Sequence, residues 1–125
     1  MRGYRFLASV YLAARDHERA AAVIDAGLDL APDDRTLIEQ RGEVNAARGD
    51  VERALADWHR ALDPDGHSIG GAYSSAFLLE RQGRLEEAID AWRYILDYNE
   101  SRGYELQAQW PRRELDRLRA RLAER

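Results

Sequence analysis

The chain has 125 residues, 45% of them apolar and 34% charged, with a formal net charge of −4 and no cysteine. That length predicts one domain with a buried core, and the composition is that of a globular chain rather than a disordered one. The totals exclude disulfides, thiolate metal sites and cysteine nucleophiles, and they argue against bulk attraction to nucleic acid or to an anionic membrane.

The first amphipathic stretch carries Tyr4, Leu7, Ala8 and Tyr11 at helical spacing. It starts almost at Met1 without a good capping residue, which leaves two expectations: a piece of a longer protein, or an N-terminal face that pairs with a second copy. No leader-like segment combines basic residues, an apolar run and a cleavage site, and no apolar run approaches the roughly 18 residues of a membrane span. A cytoplasmic location is the default. Asp16 is placed to cap a second helix, "ERAAAVIDAGL" from Glu18, which "APDD" ends. A third helix carries Ile38, Gly42 and Asn45 and stops at "ARGD", where Gly49 supplies a helix end. Asp50 then caps "ERALADWHRAL" from Glu52, which runs into "DPDG". A fifth stretch carries Ala72, Ala76 and Leu79 and ends at "RQGR"; "EEAIDAWRYIL" from Glu86 follows and runs on through "LDYNES" to Gly103. "YELQAQW" reads as a short connection, and Pro111 suits the first turn of a last helix with Leu115, Leu118 and Leu122 on its apolar stripe. Its other face is arginine-rich, as the closing helix of a helical stack should be. No strand-like alternation of useful length occurs.

The three "ER/EE" strings start 34 residues apart, at Glu18, Glu52 and Glu86. In each an alanine (Ala20, Ala54, Ala88) precedes a large apolar residue by four (Ile24, Trp58, Trp92), on one helical face. With this period the chain resembles the tetratricopeptide repeat family, whose pattern is W-x2-L-G-x2-Y, A-x3-F and P over 34 residues. The first unit matches it with Tyr4, Leu7, Ala8, Tyr11, Ala20, Ile24 and Pro32. The second matches with Ile38, Arg41, Gly42, Asn45, Ala54 and Trp58, with Pro64 two places early. The third has Ala72, Ser75, Ala76, Leu79, Ala88 and Trp92, without a proline. The resemblance implies an all-α fold: an α-solenoid of three antiparallel helix-turn-helix repeats, about 1–34, 35–68 and 69–102, with 103–125 as connection and capping helix. The small residues Gly42 and Ala54 are then expected to let two helices approach closely while Trp58 fills the wider space beyond. Asn45, polar where the pattern has tyrosine, either bonds a neighbouring helix or water, or faces a ligand.

"GHSIGG", Gly66 to Gly71, fits the G-x-S-x-G of a hydrolase nucleophile elbow. That elbow needs a buried strand before it and a histidine after it. Here an amphipathic helix precedes it, and the histidines, His17, His59 and His67, all lie earlier in the chain. Ser68 is better read as a helix N-cap, with Gly66 relieving the turn. Gly70 and Gly71 either fray the helix start or open its amides to a ligand. All 19 basic residues are arginine, so no phosphate-binding loop with its lysine is present. His59 and Asp63, with His67 beyond, match no common metal spacing and read as a solvated pair. Six arginines from Arg112 to Arg125 are interleaved with Glu114, Asp116 and Glu124, so pairs such as Arg112 with Asp116 are expected rather than a nucleic-acid face. No catalytic constellation, metal or cofactor is called for: cofactors, none; an enzyme, no.

In tetratricopeptide proteins the first helices of successive units line a concave groove that holds peptide segments. Carried over residue by residue, the lining here comprises Arg5, Phe6 and Ser9, then Glu39, Gln40 and Glu43, then Tyr73, Ser74, Phe77 and Glu80. One subclass grips a C-terminal carboxylate with basic and amide residues. Of its matching positions here, Arg5, Ser9, Gln40, Gly70 and Ser74, only Arg5 is suitable, so chaperone-tail binding is not supported. Phe6, Tyr73 and Phe77 either anchor a partner or pack on neighbouring helices. The expected function is a non-catalytic protein-interaction module. It would take a peptide with apolar anchors, flanked by basic residues that meet Glu39 and Glu43. The alternative is self-association as a homodimer. Neither nucleic acid nor membrane is an expected partner.

Overall fold

The computed structural model describes residues 1–63 and 69–125. The expectations on Pro64, Gly66, His67 and Ser68, including the serine cap, lie outside the described residues. Among those described there are seven helices and no strand: α1 (Arg2–Ala13), α2 (His17–Leu30), α3 (Arg35–Ala47), α4 (Val51–Ala61), α5 (Gly70–Arg81), α6 (Leu85–Ser101) and α7 (Glu105–Ala123). The fold is all-α, made of helix-turn-helix hairpins: α1 packs on α2, α2 on α3 and α3 on α4 in one part of the chain, and α5 on α6 and α6 on α7 in the other, consistent with an α-solenoid. Two compact units, Met1–Asp63 and Pro64–Arg125, divide the chain.

The turns obey the 34-residue period. Arg15, Gly49 and Gly83 all have positive φ, at 58°, 82° and 74°. In each case the amide of the next residue closes the turn on a carbonyl five residues back: Asp16 to Tyr11, Asp50 to Asn45 and Arg84 to Leu79, each at 2.9 Å. Glycine reaches this left-handed conformation without a Cβ clash; Arg15 adopts it against that clash. Asp16, Asp34 and Asp50 then cap α2, α3 and α4, their carboxylates accepting from the amides of Arg19, Leu37 and Arg53.

In the first unit the core is Ala8, Ala20, Ile24, Leu28, Leu37, Ile38, Val44 and Ala61, flanked by Tyr4 and Tyr11. Gly42 is held for close approach: a Cβ there would lie 2.5 Å from the indole nitrogen of Trp58. The tryptophan therefore sits on the glycine itself, not in a space beyond it. Its ring N–H donates to the Glu39 carbonyl at 3.2 Å. Asn45 bonds the neighbouring helix: its amide donates to Asp57 at 2.8 Å, and Arg41 donates to the same carboxylate at 2.8 Å. Asp57 is buried, so this knot of charge-assisted bonds between α3 and α4 satisfies a carboxylate that would otherwise be stranded. Asp63 pairs with Arg35 at 3.2 Å rather than with His59, which is exposed.

In the second unit α5, α6 and α7 pack in sequence around Trp92, Ile95, Leu115 and Leu118. The last helix departs from the sequence expectation. No connection spans "YELQAQW"; α7 begins at Glu105, and Pro111 lies inside it. Ala108, Pro111, Leu115 and Leu118 fall on one buried stripe, so packing holds the helix through a residue that removes one of its backbone donors. Arg112 pairs with Glu100 at 2.8 Å and with Glu105 at 3.7 Å, not with Asp116. α5 starts at Gly70 without a side-chain cap, and Gly71 is buried in its first turn.

Candidate interaction surfaces

In the first unit, α1 and α3 lie side by side. Two polar contacts fix the seam. Arg5 donates twice from Nε to the Asp34 carboxylate, at 3.0 and 3.2 Å, and its guanidinium pairs closely with the same group. Gln40 donates to the Arg5 carbonyl at 3.1 Å. Arg5 and Gln40 thus clamp the two helices together. Asp34 shows the balance of forces: burial raises its pKa, but the Arg5 bond and the Leu37 amide outweigh this and hold it below the ordinary carboxylate value.

The seam places the turn carrying Phe6 beside the turn carrying Glu39. Phe6 is 71% exposed, a large figure for a phenylalanine, and Ser9 is exposed and bonded to the Phe6 carbonyl at 2.6 Å. Glu39 and Glu43 stand one helical turn apart on α3, and among the described residues neither has an ion-pair partner. Desolvation, then repulsion from Glu43, raises the pKa of Glu39; desolvation by the surrounding protein atoms raises that of Glu43. Glu39 is half-buried and Glu43 exposed, a negatively charged pair on the turns of α3 that face the exposed ring across the seam.

In the second unit the lining residues of α5 are already engaged. Tyr73 stacks on Trp110 of α7, with ring centroids 5.3 Å apart and planes 24° from parallel. Phe77 lies 5.6 Å from Trp92 and 6.0 Å from Trp110. Glu80 takes Arg117 at 2.6 Å and Arg121 at 3.0 Å, and these cations lower its pKa. Ser74 is half-buried. Phe77 nevertheless keeps 46% of its surface exposed. Replacing Tyr73 and Phe77 by alanine would therefore loosen α7 as well as strip the face.

The Arg5–Asp34 and Glu80–Arg117 pairs are separated by 29 and 37 residues in the chain. No local spacing rule reaches that far; only superposing the repeat on itself could have brought them together. Among the described residues no group of three or more His, Asp or Glu side chains is placed to hold a metal ion. No helix of the described residues is long and apolar enough to cross a membrane.

No family model matches the chain. Over 90 residues it is 29% identical to superkiller complex protein 3 of Homo sapiens. The match covers 72% of this chain and only 6% of that protein. This similarity and the packing of chain-neighbouring helices within each unit fit a helical repeat.

Proposed function

We propose that the chain is a non-catalytic protein-interaction module of the tetratricopeptide type, and that its α1–α3 face binds a peptide segment with a basic residue next to an apolar one. The observation that carries this reading is the Glu39–Glu43 pair. Two carboxylates stand one turn apart on α3, Glu39 half-buried and Glu43 exposed, with no ion-pair partner among the described residues, and across the α1–α3 seam lies a ring that is 71% exposed. A folded chain selected for stability alone would relieve both features, since each is unfavourable in isolation. An incoming arginine or lysine would neutralise the pair, and an apolar neighbour would cover Phe6. Arg5, Ser9 and Gln40 act as the frame: Arg5 and Gln40 hold the seam, and Ser9 offers a hydroxyl at its rim. In the second unit Tyr73, Ser74, Phe77 and Glu80 form the corresponding face of α5.

The similarity to a protein named for a complex supports an assembly role. Selection from a random displayed-peptide library tests the proposal. The wild-type chain is expected to enrich peptides with Lys or Arg beside an aromatic or aliphatic residue. The Phe6→Ala/Glu39→Gln/Glu43→Gln variant should lose that enrichment. Identical enrichment by both proteins would refute it.

A second reading is self-association through α1, which also leaves Leu7 and Val10 40% and 45% exposed. Sedimentation velocity across a wide concentration range decides it: a mass that stays at one chain removes the homodimer.

A further inference from the structure

The side of α3 turned away from Glu39 and Glu43 carries a second polar feature. Arg41 and Asn45 lie there, on the opposite face of the helix from that pair. α3 packs on both α2 and α4, and a hollow of about 580 Å³ lies among the three helices. Asp25, Leu28 and Asp29 of α2, Pro32 of the following turn, Arg41 of α3 and Arg60 of α4 line it. None of these six residues belongs to the α1–α3 face. The volume falls in the ordinary range of small-molecule sites, about 300–1,000 Å³.

Charges of both signs line this hollow, and they do not close on each other. The cations are held from behind. Arg41 donates from Nε and Nη2 to the buried Asp57 carboxylate, at 3.1 and 2.8 Å, and among the described residues its Nη1 makes no hydrogen bond. Arg60 donates from Nη2 to Asp33 at 3.1 Å and to the Pro32 carbonyl at 3.4 Å, which leaves its Nε and Nη1 unused. Asp25 and Asp29 stand one turn apart on α2, both exposed, and among the described residues neither makes an ion pair or a hydrogen bond. The bond to Asp57 raises the pKa of Arg41 against the opposing effect of burial, and the charge of Asp25 raises it further. Asp25 is thus within electrostatic reach of Arg41 without touching it. Cations already fixed by their own acceptors lose little freedom when a ligand arrives. A simple anion would meet the repulsion of Asp25 and Asp29, and a simple cation that of Arg41 and Arg60. A ligand with one charge of each sign satisfies both, and the buried Leu28 and the Pro32 ring offer apolar contact between them.

We infer that the hollow between α2 and α4 is a binding site for a small zwitterion, a free amino acid or a short peptide with both ends charged. Its ammonium group would meet Asp25 and Asp29, and its carboxylate the unused N–H groups of Arg41 and Arg60. The inference goes beyond the peptide-binding reading of the α1–α3 face and does not rest on it, because it uses the other side of α3.

The test titrates L-alanine and L-alanyl-L-alanine into the isotope-labelled chain and follows amide chemical shifts. Saturable shifts confined to residues 25–32, 41 and 57–60 are expected, with a Kd of about 1–10 mM for at least one of the two probes. Saturation by alanine assigns the site to free amino acids, and saturation by the dipeptide alone assigns it to short peptides; either result supports the proposal. Blocking one charge of the bound probe, by N-acetylation or by C-terminal amidation, should weaken binding about 10-fold. The Asp25→Asn/Asp29→Asn and Arg60→Gln variants change exposed side chains only and should each lose affinity by about the same factor. No saturable shift with either probe at about 50 mM overturns the proposal. So do blocked probes that bind as tightly as free ones, or variants that stay helical by circular dichroism and bind like wild type. Inorganic phosphate that saturates the same amides would make this a plain anion site and also overturn it. Failure here leaves the α1–α3 proposal standing, because that face is read with other peptides and other variants.

Discussion

Gly42→Ala offers a prediction whose sign depends on a single contact. Alanine in place of a helical glycine usually stabilises by about 0.8–1 kcal/mol. Here the new Cβ would lie 2.5 and 2.6 Å from Nε1 and Cδ1 of Trp58, where ordinary contacts begin near 3.4 Å. The tryptophan is 3% exposed and tied to the Glu39 carbonyl, so it has little room to move. Overpacking of this kind costs about 1–3 kcal/mol, and the propensity gain offsets part of that. The net expectation is a loss of about 1 kcal/mol, or a fall of about 4 °C in Tm. In a Trp58→Leu background the indole is gone, and Gly42→Ala should there raise stability by up to about 1 kcal/mol. Urea and thermal unfolding followed by circular dichroism on the four proteins of this double-mutant cycle provide the assay. A Gly42→Ala chain more stable than wild type, or the same change in both backgrounds, would refute the reasoning.

Arg15 holds a positive φ at the position its two repeats give to glycine, so Arg15→Gly should raise stability by about 0.5–1 kcal/mol, read as Tm. Glu39→Gln should stabilise the chain at pH 7 and have no effect well below pH 4. The raised pKa of Glu39 means that its ionised form is disfavoured in the folded state, and that penalty appears as pH rises through the unfolded and then the folded value. An equal Glu39→Gln effect at both pH values would contradict this. Asp34 runs the opposite way. Its lowered pKa contributes stability above the unfolded value near 4 and loses it as pH falls through the folded value. Arg5→Met should flatten this acid limb in a series of urea titrations. Asp57→Ala leaves Arg41 and Asn45 without their acceptor and should cost about 2–3 kcal/mol, discounted from a fully buried pair because Arg41 is partly exposed.

Much of the fold was legible because it is periodic. The 34-residue spacing of Ala20, Ala54 and Ala88 with Ile24, Trp58 and Trp92 marked the buried faces of α2, α4 and α6, and all six residues are buried. Gly49 and Gly83 marked two helix ends, and Asp16 and Asp50 two caps, since these are local devices written in single residues. Arg15 was missed as the third member of the turn series because arginine carries no turn signature. The start of α7 was misplaced because proline reads locally as a first-turn residue, whereas here the buried stripe from Ala108 to Leu118 keeps the helix running through it. The candidate surfaces were legible as residue types but not as partners. Arg5 finds Asp34, and Glu80 finds Arg117 and Arg121, across helices two apart in the chain, which linear spacing does not encode. Tyr73 and Phe77 were recognisable as aromatic lining, yet that Trp110 covers them follows from where α7 starts, and that start was read six residues too late.

The most direct test of the interaction-module account is chemical-shift mapping. A basic, aromatic-bearing peptide enriched by the wild-type chain would be titrated into the isotope-labelled protein. The account predicts perturbations concentrated on residues 5–10 and 36–43, weakened by added salt and absent in the Glu39→Gln/Glu43→Gln protein. Saturating peptide that leaves those amides unmoved, or binding that survives the double substitution unchanged, would contradict it.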